Sequence, residues 1–61
     1  MTKVQIREAN VARQAVELNM PDMAARIISA LIRCAMRQAD KQELHALAAQ
    51  LGIAQHPDFI V

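Results

Sequence analysis

Residues 20–37, Met-Pro-Asp-Met-Ala-Ala-Arg-Ile-Ile-Ser-Ala-Leu-Ile-Arg-Cys-Ala-Met-Arg, carry more apolar surface than a chain of 61 residues can easily cover. Apart from Asp22, the polar positions of this segment are Arg26, Ser29, Arg33 and Arg37. At about 100° per residue, a helix places these four on one stripe covering under a third of its circumference. Everything else is Ala, Ile, Leu, Met or Cys. A helix that is apolar on most of its surface has to be buried on most of its surface. So small a chain offers few neighbours to do this, which points to self-association or to a partner. The segment names no reaction.

Length and composition narrow the ways such a chain reaches stability. Below about 70–80 residues a single core rarely supplies more than roughly 3–5 kcal/mol, and small proteins compensate with disulfides, metals or oligomerisation. The lone cysteine, Cys34, leaves no internal disulfide and fits a reducing compartment. Oligomerisation is the route that remains. Seven Lys or Arg stand against six Asp or Glu, so there is no global pull toward nucleic acid or an anionic membrane. With one Phe and no Trp or Tyr, the chain lacks stacking platforms for single-stranded nucleic acid and the aromatic anchors of tight interfaces. Any interface is aliphatic. The opening Met-Thr-Lys-Val-Gln lacks the apolar run of a signal peptide. No stretch approaches 18 uninterrupted apolar residues. The expectation is a cytoplasmic protein without a membrane partner.

The pattern predicts three helices and a tail within one domain, residues 1–61. The first helix spans about residues 5–18, with Val4, Val11, Ala15 and Leu18 on one face and Ala12 and Val16 widening it. Glu8 falls inside that apolar arc. Asn19 suits a left-handed terminator, and Pro21 cannot continue the same helix. Pro21 instead opens the second helix, residues 21–38, at a position where its missing N–H costs nothing. Asp22 meets the positive end of the helix dipole, and Arg33 and Arg37 approach the negative end. The third helix, about 41–51, has Asp40 as its cap and Glu43 three residues later in a capping-box-like pair. Leu44, Leu47, Ala48 and Leu51 form its apolar stripe. Gly52 falls where the left-handed residue of a Schellman turn belongs, with Ile53 folding back on the last turn. The tail, residues 53–61, ends Phe59-Ile60-Val61 and is apolar enough to pack on the body, Phe59 being the one large aromatic side chain available to close the core.

Candidate chemistry is sparse. Arg26, Arg33 and Arg37 lie within about 40° of one another on a helical wheel. They read first as the solvated edge of a buried helix, paired with Glu8, Glu17 or Glu43, and second as a cationic ridge for phosphate or an acidic partner. Cys34, His45 and His56 have no ligand spacing such as C-x-x-C or H-x-x-x-H, so no metal and no cofactor is expected. Cys34 reads as a small core hydrophobe without a neighbouring base. There is no Gly-rich phosphate loop, G-x-S-x-G or H-E-x-x-H, and one glycine cannot build an anion-binding loop. The expectation is a non-enzyme with no catalytic residues. Of the four methionines, Met20 and Met23 flank the start of the second helix and Met36 its end, where flexible thioethers fill a core or serve an adaptable surface.

Three resemblances follow. Lys3-Val4-Gln5-Ile6-Arg7 alternates polar and apolar, the strand period. A short strand, a helix, a turn and a longer helix over residues 2–38 resembles the ribbon–helix–helix DNA-binding family in order and length. That resemblance implies a dimeric repressor in which Lys3, Gln5 and Arg7 face bases in the major groove. The family's small-residue turn is replaced by Asn19-Met20-Pro21-Asp22. Residues 44–53 look like the first helix of a helix-turn-helix, but no recognition helix follows Gly52. The Ala-, Gln- and Arg-rich chain as a whole is similar in size and style to the small accessory proteins of temperate, lambda-like phages and plasmids. That similarity implies a protein that binds and diverts a host factor, and it transfers no functional residues.

The resulting expectation is an all-α protein: an antiparallel hairpin of the first two helices with the third packed across it, and a homodimer built on the second. Ile27, Ile28, Leu31, Ile32 and Met36 are its expected interface and its least exposed side chains. The expected function is a non-enzymatic interaction module whose partners are a second copy and another protein. The alternative is the DNA-binding dimer that uses residues 3–7 as a strand.

Overall fold

The computed structural model covers Met1–Val61 and contains three helices and no strand: α1 (Lys3–Glu17), α2 (Pro21–Cys34) and α3 (Gln38–Gln50). α1 starts two residues earlier than the apolar pattern alone suggests because Thr2 caps it. The Thr2 hydroxyl accepts the Gln5 N–H at 3.2 Å, and the Gln5 side-chain carbonyl accepts the Thr2 N–H at 2.9 Å. This capping box fixes residues 3–7 as helix. The strand expected under the ribbon–helix–helix resemblance is therefore absent, and the helix turns Gln5 to the side opposite Lys3 and Arg7, so the three do not share one face.

α1 ends on Asn19, whose φ of 61° is left-handed. The Met20 N–H donates to the Ala15 carbonyl at 2.8 Å and the Asn19 N–H to the Val16 carbonyl at 3.0 Å. These are the paired bonds of a Schellman turn. Pro21 then opens α2, so the chain reverses within three residues and α1 and α2 form a hairpin. The same turn recurs after α3. Gly52 has φ of 75°, its N–H donates to the Ala49 carbonyl at 3.1 Å, and the Ile53 N–H donates to the Ala48 carbonyl at 3.0 Å. Ile53 folds back into the core, as the sequence leads one to expect.

Two further boundaries differ from expectation. α2 stops at Cys34 rather than 38, with Ala35 already extended. Ala-Met-Arg-Gln are good helix formers, so nothing local stops the helix. The break allows the chain to turn back and lay Leu44 and Leu47 on the core, and that packing outweighs propensity. α3 begins at Gln38, so Asp40 lies in its first turn instead of capping it. Its carboxylate accepts the Met1 amine at 3.2 Å, with both groups largely shielded from solvent. No side chain caps α3.

α2 is the pillar of the fold. α1 and α3 both pack on it, while the backbones of α1 and α3 stay apart. Its buried residues are Ala24, Ala25, Ile28, Ser29, Leu31 and Ile32, a face that spans just under half of its circumference. The apolar excess read in the sequence is thus covered largely by the chain itself. Seven of the thirteen residues in the core cluster are alanines, the rest Ile28, Ile32, Ile53, Leu31, Leu44 and Leu47. No helix is long and apolar enough to cross a membrane.

Candidate interaction surface

The face that α1 turns inward is the alanine row Ala9, Ala12 and Ala15. Alanine lets two helix backbones approach closely. The price is that the bulkier side chains of α1 stay outside. Val4 is 60% and Leu18 is 72% exposed, and Val11 is exposed between them. Val4, Val11, Ala15 and Leu18 were the expected inward face, and of these only Ala15 is buried. The spacing of Val4, Val11 and Leu18 is seven residues, so they form one row along the helix.

α2 contributes the other half of the same surface. Going round this helix, the outward residues beside α1 are Met23, Ile27, Ala30 and Cys34, at spacings of four, three and four. Met23, Ala30 and Cys34 are exposed and Ile27 is half-buried. A shallow groove of about 330 Å³ joins the two helices, lined by Glu8 of α1 and by Arg26, Ile27, Ala30, Leu31 and Cys34 of α2. Glu8 lies one turn from both Val4 and Val11 and stands between the valine row and the groove. It is half-buried and makes no ion pair. The position that weakens the apolar pattern of α1 in the sequence is therefore a lone carboxylate at the middle of an apolar face.

The five expected interface residues separate. Ile28 and Ile32 are buried in the chain's own core, and Leu31, also part of that core, borders the groove. Ile27 is half-buried at the groove. Met36 is 96% exposed, because the helix that would have carried it inward ends at Cys34.

The arginine stripe also divides. Arg26 pairs with Asp58 of the tail at 3.2 Å and with Asp22 at 3.9 Å, in place of the expected Glu8, Glu17 or Glu43. Arg33 and Arg37 make no ion pair. Ser29, the fourth member of the stripe, is buried. Its hydroxyl donates to the Ala25 carbonyl at 2.6 Å and accepts the Ile60 N–H at 3.0 Å. Ser29 and Arg26 thereby clasp the tail against α2. Phe59 packs on the core and meets the ring of His45 edge-on at 5.9 Å between centroids. The His56 Nδ1 accepts the Asp58 N–H at 3.0 Å, which folds the tail into a turn. Cys34, His45 and His56 are not gathered into a metal-binding group.

The separation of α1 from α3 leaves a second hollow, a cleft of about 470 Å³ whose walls include Ile6, Ala9, Leu44 and Leu47. Arg13 and Glu43 stand at it, and it holds no histidine, cysteine or hydroxyl. Its polar groups offer a charge on each side and no nucleophile with a base beside it. Comparison with known protein families, with characterised proteins and with solved structures finds no match for this chain.

Proposed function

We propose that the chain is a non-enzymatic helical interaction module, a homodimer that works through the outer face of the α1–α2 hairpin and modulates another macromolecule. The observation that supports this reading is the inversion of α1, with alanines inside and Val4, Val11 and Leu18 outside. In a chain whose core is more than half alanine, larger apolar side chains on the surface are placed where a second surface can use them. Groove and valine row together make an apolar strip two helices wide, with Glu8 set between its two halves. Size and composition fit an accessory protein of the kind found in temperate phages and plasmids, acting in the host cytoplasm on a host factor.

Sedimentation equilibrium across a wide concentration range tests the module. A dimer is expected for the wild type. The variant Val11→Gln with Leu18→Gln is expected to be monomeric with helicity unchanged, since both side chains are exposed in the single chain. A double variant that dimerises like the wild type would remove the outer face from the proposal.

A further inference from the structure

Resting on that dimeric reading, we infer that two copies pair their α1 helices side by side, parallel and in register, with Arg7 of each copy seated in the groove beside Glu8 of the other. Three observations carry it. The valine row of α1 is flanked on one side by Arg7 and on the other by Glu8, which lie about 40° and 60° from the row's centre on the helical wheel. Neither forms an ion pair within the chain. On the Glu8 side, the groove provides an apolar bed of Ile27, Ala30 and Leu31 with Glu8 as its unneutralised acid.

The charges select one arrangement. A two-fold axis parallel to the helices sets the right flank of one helix against the left flank of the other. Arg7 then faces the partner copy's Glu8 twice, once on each side of a central row in which Val4, Val11 and Leu18 meet their own copies. The alternatives with antiparallel helices put like flanks together. Centred on Val11, they place Arg7 opposite Gln14 and leave Glu8 against Ala15. Centred between Arg7 and Glu8, they oppose like charges. Parallel helices shifted by seven residues form a head-to-tail contact that does not close into a dimer. Only the parallel, in-register pair unites complementary charges with a closed interface.

The groove also fits an arginine better than a lysine. Its walls take the aliphatic stem of the side chain, and the planar guanidinium reaches the carboxylate with two parallel hydrogen bonds. Arg26, the cation already at the groove, is turned to Asp58 and Asp22 and leaves Glu8 free.

Charge reversal decides the matter. Sedimentation equilibrium would compare the wild type with Arg7→Glu, Glu8→Arg and the double variant Arg7→Glu/Glu8→Arg, with circular dichroism to confirm that each is folded. Each single variant sets like charges against each other twice and is expected to raise the dimer dissociation constant at least about tenfold. The double variant restores opposite charges across the two-fold and is expected to return within about threefold of the wild type. If all four proteins dimerise alike, or the double variant is as weak as the singles, the α1–α1 pairing is wrong while the dimer stands. A wild type that stays monomeric throughout the concentration range overturns the pairing and the dimer together.

Discussion

Ser29→Ala tests how the tail is held, and its cost follows from the geometry. Ser29 is the one buried polar residue of the protein. Its hydroxyl accepts the Ile60 N–H at 3.0 Å and lies 3.4 Å from the Asp58 carbonyl, a weaker contact. Removing the oxygen deletes the bond to Ile60, worth about 1 kcal/mol net. The bond to Ala25 adds little. That carbonyl already belongs to the helix ladder, and back-bonding of this kind does not strengthen helices. A small void replaces the hydroxyl. The sum is about 1–2 kcal/mol, against a total reserve of roughly 3–5 kcal/mol for a core of this size. For a domain this short that corresponds to a fall of about 8–16 °C in Tm. Thermal unfolding followed by circular dichroism reads the loss, and amide exchange at Ile60 reads whether the tail has come free. Arg26→Ala, whose ion pair with Asp58 is half solvated, is expected to cost only about 0.2–1 kcal/mol. A Ser29→Ala protein with wild-type Tm and wild-type protection of Ile60 would show that Phe59 and Ile53 hold the tail and that the hydroxyl merely tolerates burial.

Ile28→Ala should cost about 2–5 kcal/mol, because Ile28 is fully buried at the centre of α2, and urea unfolding should find most or all of the stability gone. Gly52→Ala should cost about 1 kcal/mol by thermal melting, all of it backbone strain at positive φ, since an added Cβ meets no atom within 4 Å. Asn19→Gly at the matching turn of the hairpin should be neutral or slightly stabilising in the same assay. Thr2→Ala should remove about 0.5–2 kcal/mol and fray α1, visible as carbon chemical shifts of residues 3–7 moving away from helical values.

The parts of the fold that were legible in the sequence are those decided locally. Asn19, Pro21 and Gly52 each require a particular backbone conformation, and each sits where its chemistry placed it. Thr2-x-x-Gln5 is a local signal of the same kind that the reading of the sequence passed over, a capping box, and it outweighs the polar–apolar alternation of residues 3–7 that resembles a strand. The end of α2 was not legible, because Ala35-Met36-Arg37 favours helix and yields only to the docking of Leu44 and Leu47. Nor could the sequence say which side of α1 turns inward. It offers a row of valines and leucine and an adjoining row of alanines, and periodicity treats both as apolar. The choice belongs to the partner helix, since only the alanine row allows close approach.

That choice links the core to the surface. A tight α1–α2 crossing on Ala9, Ala12 and Ala15 buries little area per residue, so the hairpin gains less from its own packing than a leucine-faced pair would. The side chains with more to gain, Val4, Val11, Leu18 and Met23, remain at the surface with part of their transfer free energy unrealised. Burial of these side chains against a second surface then adds to folding as well as to association, because any partner that binds the folded state stabilises it by mass action. Stability and binding are on this argument one equilibrium. The melting temperature of the wild type should therefore rise with protein concentration, whereas Val11→Gln/Leu18→Gln should melt at one temperature whatever the concentration. A wild-type melting temperature independent of concentration over a hundredfold range would break the link between the alanine core and the apolar face.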